Sequence, residues 1–116
     1  MNKVKFQGIW PVVPTAFNTD GTIDYEGMRN ILDCVIGQGV DGACILANYS
    51  EQFLISDNER ANLTQLCLEH TSGRLPIIVA ISHFATQIVV ERAKYAKQLG
   101  ADAVMMMAPY HGASLK

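Results

Sequence analysis

The chain has no excess of charge, no long apolar run and no cysteine framework, and each lack excludes a class of function. Nine Lys and Arg stand against eleven Asp and Glu, for a net charge of −2, and the basic residues are scattered. A nucleic-acid binder needs clustered cations to displace counterions from phosphates, so no nucleic-acid partner is expected. No apolar run reaches the ~20 residues that cross a bilayer, so no membrane partner is expected. Lys3 and Lys5 are not followed by an apolar run with a cleavage site, so no signal peptide is read.

The three cysteines, Cys34, Cys44 and Cys67, are odd in number and not closely paired. That argues against a disulfide framework and for a reducing compartment, and a cytoplasmic location is expected. All three read as small buried hydrophobes, Cys34 and Cys67 on apolar helix faces and Cys44 in a strand. His70, His83 and His111 lack metal-ligand spacing to one another or to the cysteines, so neither metal nor other cofactor is expected.

What is present is an alternating α/β pattern. Gly8 to Phe17 reads as a first strand with its loop, made irregular by Pro11 and Pro14. A helix is predicted from about Asp24 to Gly37, with Met28, Ile31, Leu32, Val35 and Ile36 at helical spacing. A strand follows over Gly42 to Leu46. Ser56 to Glu59 is a capping box opening a helix that runs to about His70, with Leu63, Leu66 and Cys67 inward. Leu75 to Ile81 is a β-branched run of the kind buried on both faces. Thr86 begins a third helix, Gly100 ends it, and Ala103 to Met107 is the last strand, its methionines read as core packing.

Strict alternation means parallel strands with helical crossovers. The stretch Gly39-Val40-Asp41-Gly42-Ala43-Cys44-Ile45-Leu46-Ala47 is echoed by Gly100-Ala101-Asp102-Ala103-Val104-Met105-Met106-Met107-Ala108, a repeat of helix stop, turning Asp and buried strand. A (β/α)8 barrel needs about 250 residues, so residues 1–116 supply about three and a half of its eight units.

In parallel α/β proteins chemistry sits in the turns after strand C-termini. The turn after the second strand holds an amide, a phenol, a hydroxyl and a carboxylate in consecutive positions, Asn48, Tyr49, Ser50 and Glu51. Read from the residues alone, an ordinary polar turn is the commoner explanation.

The ordered motifs change that balance. Gly8-Ile9-Trp10-Pro11-Val12-Val13-Pro14-Thr15-Ala16-Phe17 with Asp20-Gly21-Thr22-Ile23-Asp24, then Leu54 to Arg60, then Gly100-Ala101-Asp102-Ala103 through Ala108-Pro109-Tyr110, resembles the dihydrodipicolinate synthase / N-acetylneuraminate lyase family along the whole chain. The resemblance implies an α/β fold, the N-terminal portion of a (β/α)8 TIM barrel, with residues 1–116 as a partial barrel domain. It implies a homo-tetramer and a small-molecule 2-oxo acid substrate held as a Schiff base on a lysine of a later strand. Lys94 and Lys97 fall within a predicted helix, on or near its polar side and away from any strand end, and read as solvated. The protonated imine is an electron sink that lets a bond at the neighbouring carbon break.

Two departures narrow the chemistry. Most members carry Gly-Thr-Thr-Gly-Glu where this chain has Ala47-Asn48-Tyr49-Ser50-Glu51, and Pro-Tyr-Tyr where it has Pro109-Tyr110-His111. Asn48 replaces a hydroxyl that relays a proton, and His111 replaces a phenol. The segments are similar to a branch that dehydrates 2-keto-3-deoxy sugar acids, with 2-keto-3-deoxy-L-arabonate giving 2-oxoglutarate semialdehyde. The resemblance thus assigns catalysis to Tyr110 and His111, and substrate binding to Asn48 and Tyr49. Ser50 either supplies the missing hydroxyl to the substrate or fills the turn. Thr15 and Glu51 brace the turn, and His83 is structural or solvated. The alternatives are a pyruvate-releasing aldolase or lyase on the same scaffold, and a non-catalytic truncated remnant.

Overall fold

A computed structural model of the protein describes residues 4–108. The elements run α1 (Tyr25–Gly37), β1 (Ala43–Ile45), a short 3-10 turn (Gln52–Leu54), α2 (Asp57–Thr71), β2 (Ile77–Ala80), α3 (Thr86–Gln98) and β3 (Ala103–Met105). The strands form a parallel sheet in the order β1-β2-β3, with Ala43 opposite Ile77 and Ile78 opposite Ala103.

Helix starts follow local chemistry. Asp24 caps α1, its Oδ1 accepting from Gly27 N–H at 2.9 Å. Ser56 and Glu59 form the expected capping box, with Ser56 Oγ accepting from Glu59 N–H and Glu59 Oε1 accepting from Ser56 N–H. Each such cap satisfies amides that the helix leaves orphaned and contributes about 1 kcal/mol. The core fills the space between helices and sheet: Met28 and Leu32 from α1, Leu63 and Cys67 from α2, Ile45, Ile77 and Val79 from the strands.

The first expected strand takes a different form. Within it Val12 bridges in parallel to Cys44, and Phe17 bridges antiparallel to Ile23. Val13 N–H donates to Cys44 O and Cys44 N–H donates to Pro11 O, so the segment lies beside β1. Pro11 and Pro14 have no N–H, which stops the ladder from extending. Gly42 lets this segment close in, because a Cβ there would run into the Trp10 ring.

The internal repeat has a structural meaning. Asp41, ahead of β1, donates its N–H to Ile9 O and accepts from Ile9 N–H through Oδ2. Asp102, ahead of β3, does the same with Ile77 O and Ile77 N–H. Each aspartate pins its strand to the preceding neighbour at a fixed register.

Three expectations need correction. Leu46 does not extend β1: it adopts φ 62°, a left-handed conformation that ends the strand. Met105, Met106 and Met107 are exposed, not core. Among the described strands β3 pairs only with β2, so it is an edge with little packed on it. Cys34 is also exposed, whereas Cys44 and Cys67 are buried. On α1 the buried stripe is Met28, Leu32 and Val35. Cys34 lies two residues past Leu32, and at about 100° per residue that turns it to the far side.

Burial pushes the Cys67 thiol up to about 12 and raises that of Cys44, so neither forms thiolate at neutral pH. In a full-length barrel carrying residues 1–116, a thiol-disulfide reagent at neutral pH should therefore label Cys34 and not Cys44 or Cys67, which should react only in denaturant. Fast reaction of all three without denaturant would mean that the β1–α2 core is open.

Candidate active site

The turn after β1 is held between two left-handed residues, Leu46 at φ 62° and Glu51 at φ 60°. Neither is glycine, and such conformations cost of order 1–3 kcal/mol each, so surrounding structure must enforce them. The enforcement comes from the leading segment. Thr15 Oγ1 donates to Ser50 O at 2.6 Å, and Ser50 Oγ donates back to Val13 O at 2.5 Å. Ser50 is fully buried. Its hydroxyl is thus consumed inside the fold, so that of the two readings of Ser50, substrate binding and turn filling, the geometry is that of a turn-filling residue. Backbone bonds from Ser50 N–H to Ala47 O, Glu51 N–H to Asn48 O and Leu54 N–H to Glu51 O complete the turn. Glu51 itself is exposed and serves the turn through its main chain.

With Ser50 pinned inward, Asn48 and Tyr49 project outward, Tyr49 being 69% exposed. Both line a cleft of about 190 Å³ at the C-terminal end of the sheet, with Val12, Gln52, Ala80 and Met107 among its other walls. Asn48 Oδ1 accepts from Gln52 Nε2 at 2.8 Å, and Asn48 Nδ2 donates to Met107 Sδ at 3.4 Å. The cleft therefore offers an amide and a phenol over apolar walls, a set suited to a small polar molecule.

Arg60 is the residue that sequence reasoning missed. It is 7% exposed, it donates to the Ala80 carbonyl at the end of β2, and its Nη1 lies 3.4 Å from Gln52 Oε1. Burial, reinforced by the nearby Arg92 guanidinium, lowers its pKa to about 10, which still leaves it charged at neutral pH. In the sequence it only closes the Leu54-to-Arg60 motif, one residue past the capping box, and nothing local marks it as buried. A larger cavity, about 310 Å³, lies between α2, α3 and β2, lined by Arg60, Arg92 and Tyr95 among others. Arg92 and Tyr95 are engaged in holding the fold: Arg92 donates to Ser82 O and Tyr95 Oη to Ala61 O.

Lys94 and Lys97 are exposed on α3 and line neither cavity. His83 Nδ1 accepts from Ala85 N–H at 2.9 Å, ahead of α3. Tyr110 and His111 lie outside the described residues. Among the described residues no three His, Cys, Asp or Glu side chains are grouped to hold a metal, and no helix is long and apolar enough to cross a membrane.

The sequence profile of the dihydrodipicolinate synthetase family matches residues 5–114. The chain belongs to this family. It is 50% identical over 112 residues to an L-2-keto-3-deoxyarabonate dehydratase from Azospirillum brasilense, covering 97% of this chain and 36% of that protein. It is 34% identical over 110 residues to a 4-hydroxy-tetrahydrodipicolinate synthase from Polynucleobacter asymbioticus, covering 95% of this chain and 36% of that one. A probable 2-dehydro-3-deoxy-D-pentonate aldolase from Escherichia coli is 33% identical, with 92% and 36% covered. The chain thus spans just over a third of the length of these family members. In structure it matches a dihydrodipicolinate synthetase homologue from Pseudomonas aeruginosa with a TM-score of 0.92 at 30% identity, covering 97% of this chain and 38% of that one. An N-acetylneuraminate lyase from Mycoplasma synoviae matches with a TM-score of 0.91 at 30% identity, covering 98% and 40%. These structures are TIM barrels, and the described α/β unit corresponds to their N-terminal part. In that frame the 48–51 turn lies at the C-terminal face of the strands, where barrels of this kind do their chemistry.

Proposed function

We propose that residues 1–116 form the N-terminal part of a Schiff-base lyase that dehydrates a 2-keto-3-deoxy sugar acid, with 2-keto-3-deoxy-L-arabonate as the favoured substrate. The observation that carries this reading is the side chain at position 48. It is an amide facing the cleft where the family's aldolase branch has a relaying hydroxyl, and the nearby Ser50 hydroxyl is locked to Val13 O and does not replace it. The similarity to a dehydratase supports the same reading.

The chemistry separates the two outcomes. Retro-aldol cleavage must remove a proton from the C4 hydroxyl while the C3–C4 bond breaks, which calls for a hydroxyl relay. Dehydration removes a proton from C3 and breaks the C4–O bond, and the departing hydroxide takes a proton to leave as water. Tautomerisation of the remaining chain then leaves an aldehyde at C5. The acid for the departing hydroxide works best with a pKa near the operating pH, and His111 suits this better than a phenol. Asn48 and Tyr49 would hold substrate oxygens. The imine-forming lysine would come from a later strand, since Lys5, Lys94 and Lys97 are exposed and line no part of the cleft.

A full-length barrel carrying residues 1–116, fed 2-keto-3-deoxy-L-arabonate, should yield 2-oxoglutarate semialdehyde. Pyruvate as the carbon product would establish the aldolase reading instead.

A further inference from the structure

A line of hydrogen bonds runs from the buried side of α2 to the cleft: Arg60, Gln52, Asn48. Arg60 carries only donors. Its guanidinium binds the Ala80 carbonyl and holds Nη1 3.4 Å from Gln52 Oε1. That distance is long for a hydrogen bond, but a buried cation orients a neighbouring amide dipole at this range. Gln52 must therefore turn its oxygen to Arg60, which leaves its nitrogen facing Asn48. There Nε2 donates to Asn48 Oδ1 at 2.8 Å. With its oxygen turned to Gln52, Asn48 presents Nδ2 to the cleft, where its partner is Met107 Sδ at 3.4 Å. A thioether is a weak acceptor.

Amide orientations are ordinarily ambiguous, because nitrogen and oxygen look alike. This line begins at a group that cannot accept, so each later orientation follows from the one before. We propose that Gln52, anchored by Arg60, is a positioning residue that fixes the Asn48 amide with its N–H groups toward the cleft. Asn48 is then a donor only, matched to a carboxylate or hydroxyl oxygen of a 2-oxo sugar acid. Such an oxygen is a better acceptor than sulfur and displaces Met107 from the amide. The inference rests on the proposed function for the identity of the ligand, but the orientation itself does not.

Gln52→Glu tests it. A carboxylate only accepts, so it satisfies Arg60 and takes a hydrogen from Asn48 Nδ2, which turns Asn48 Oδ1 to the cleft. Neutron diffraction on a deuterium-exchanged full-length barrel carrying residues 1–116 locates the amide deuterons directly. They should face Met107 with glutamine at position 52 and face position 52 in the Gln52→Glu variant. Deuterons on the same side in both proteins would overturn the proposal, whatever the enzyme's activity. In kinetics with 2-keto-3-deoxy-L-arabonate, Gln52→Glu should raise KM about tenfold or more and leave kcat within about twofold. In an Asn48→Ala background the same change should move KM less than about twofold, because Gln52 acts through Asn48. An equal rise in both backgrounds would mean plain charge repulsion of the substrate and would overturn the proposal. Deuterons placed as expected in a protein that turns over no 2-oxo acid would leave the positioning role intact and remove the proposed function.

Discussion

Asn48→Thr combined with His111→Tyr, in a full-length barrel carrying residues 1–116, should shift the products from semialdehyde toward pyruvate. The two changes restore the hydroxyl and the phenol that the aldolase branch uses to move a proton from the C4 oxygen. Asn48 lies on the cleft wall, so a threonine there would place its hydroxyl at the same rim. The leading segment already holds the backbone of this turn through Thr15 and Ser50, so the swap leaves the scaffold in place. Dehydration should fall about tenfold or more, equivalent to roughly 1.4 kcal/mol of lost transition-state stabilisation. Each single variant should lose dehydration without gaining much cleavage, since half a relay moves no proton. Chromatography of the products with substrate in excess measures the partition. A double variant that still dehydrates at the parental rate and forms no pyruvate would sink the relay argument.

The 116-residue polypeptide produced by itself should associate and not remain a stable monomer. Val104, Met105, Met106 and Met107 are 45%, 41%, 60% and 37% exposed along one sheet edge. Phe53 and Phe84, 60% and 53% exposed, add apolar area near the same rim. In a closed barrel the next strand pairs with β3, one face of the sheet packs the interior and the other meets helices. Among the described residues β3 is paired on one side only and its side chains are exposed, which makes it a template for association. Sedimentation velocity at micromolar concentration should show oligomers or aggregate, and heating should give a broad transition. A monomer with a sharp cooperative melt would show that this part of the barrel is self-sufficient.

Much of the fold was legible because it is written locally. The helices start at Asp24 with α1 and at Ser56 with α2, where side-chain oxygens cap nearby amides. The strands follow from short β-branched or apolar runs between turn residues, and strict alternation with helices fixes parallel pairing. The misreadings have different causes: the burial of Met105 to Met107 depends on neighbours distant in sequence, Cys34 is set by its phase on α1, and Leu46 by a left-handed backbone. Met105 to Met107 have core composition but an edge position, and Cys34 sits beside a buried stripe without belonging to it. The site divides in the same way. Composition marked the Asn48-to-Glu51 turn as chemically rich, but not which of its groups face the cleft. Arg60 was not legible as a buried residue, because nothing local distinguishes it from a solvated arginine on a helix.

Contiguous residues were thus enough for the three helices, the three strands of the parallel sheet and membership of the family through motifs in a fixed order, but not for the leading segment, which forms isolated bridges and no strand. Caps, periodicity and turn chemistry reach across only a few positions. The tertiary structure alone decided that Asp41 and Asp102 pin neighbouring strands, that Ser50 turns inward, and that Asn48 is left facing the cleft. Thr15 and Ser50 are 35 residues apart, and their hydrogen bond exists only because the leading segment lies beside β1. A hydroxyl or an amide can donate or accept in many directions, and which one it uses is set by the partner that chain closure brings within about 3 Å.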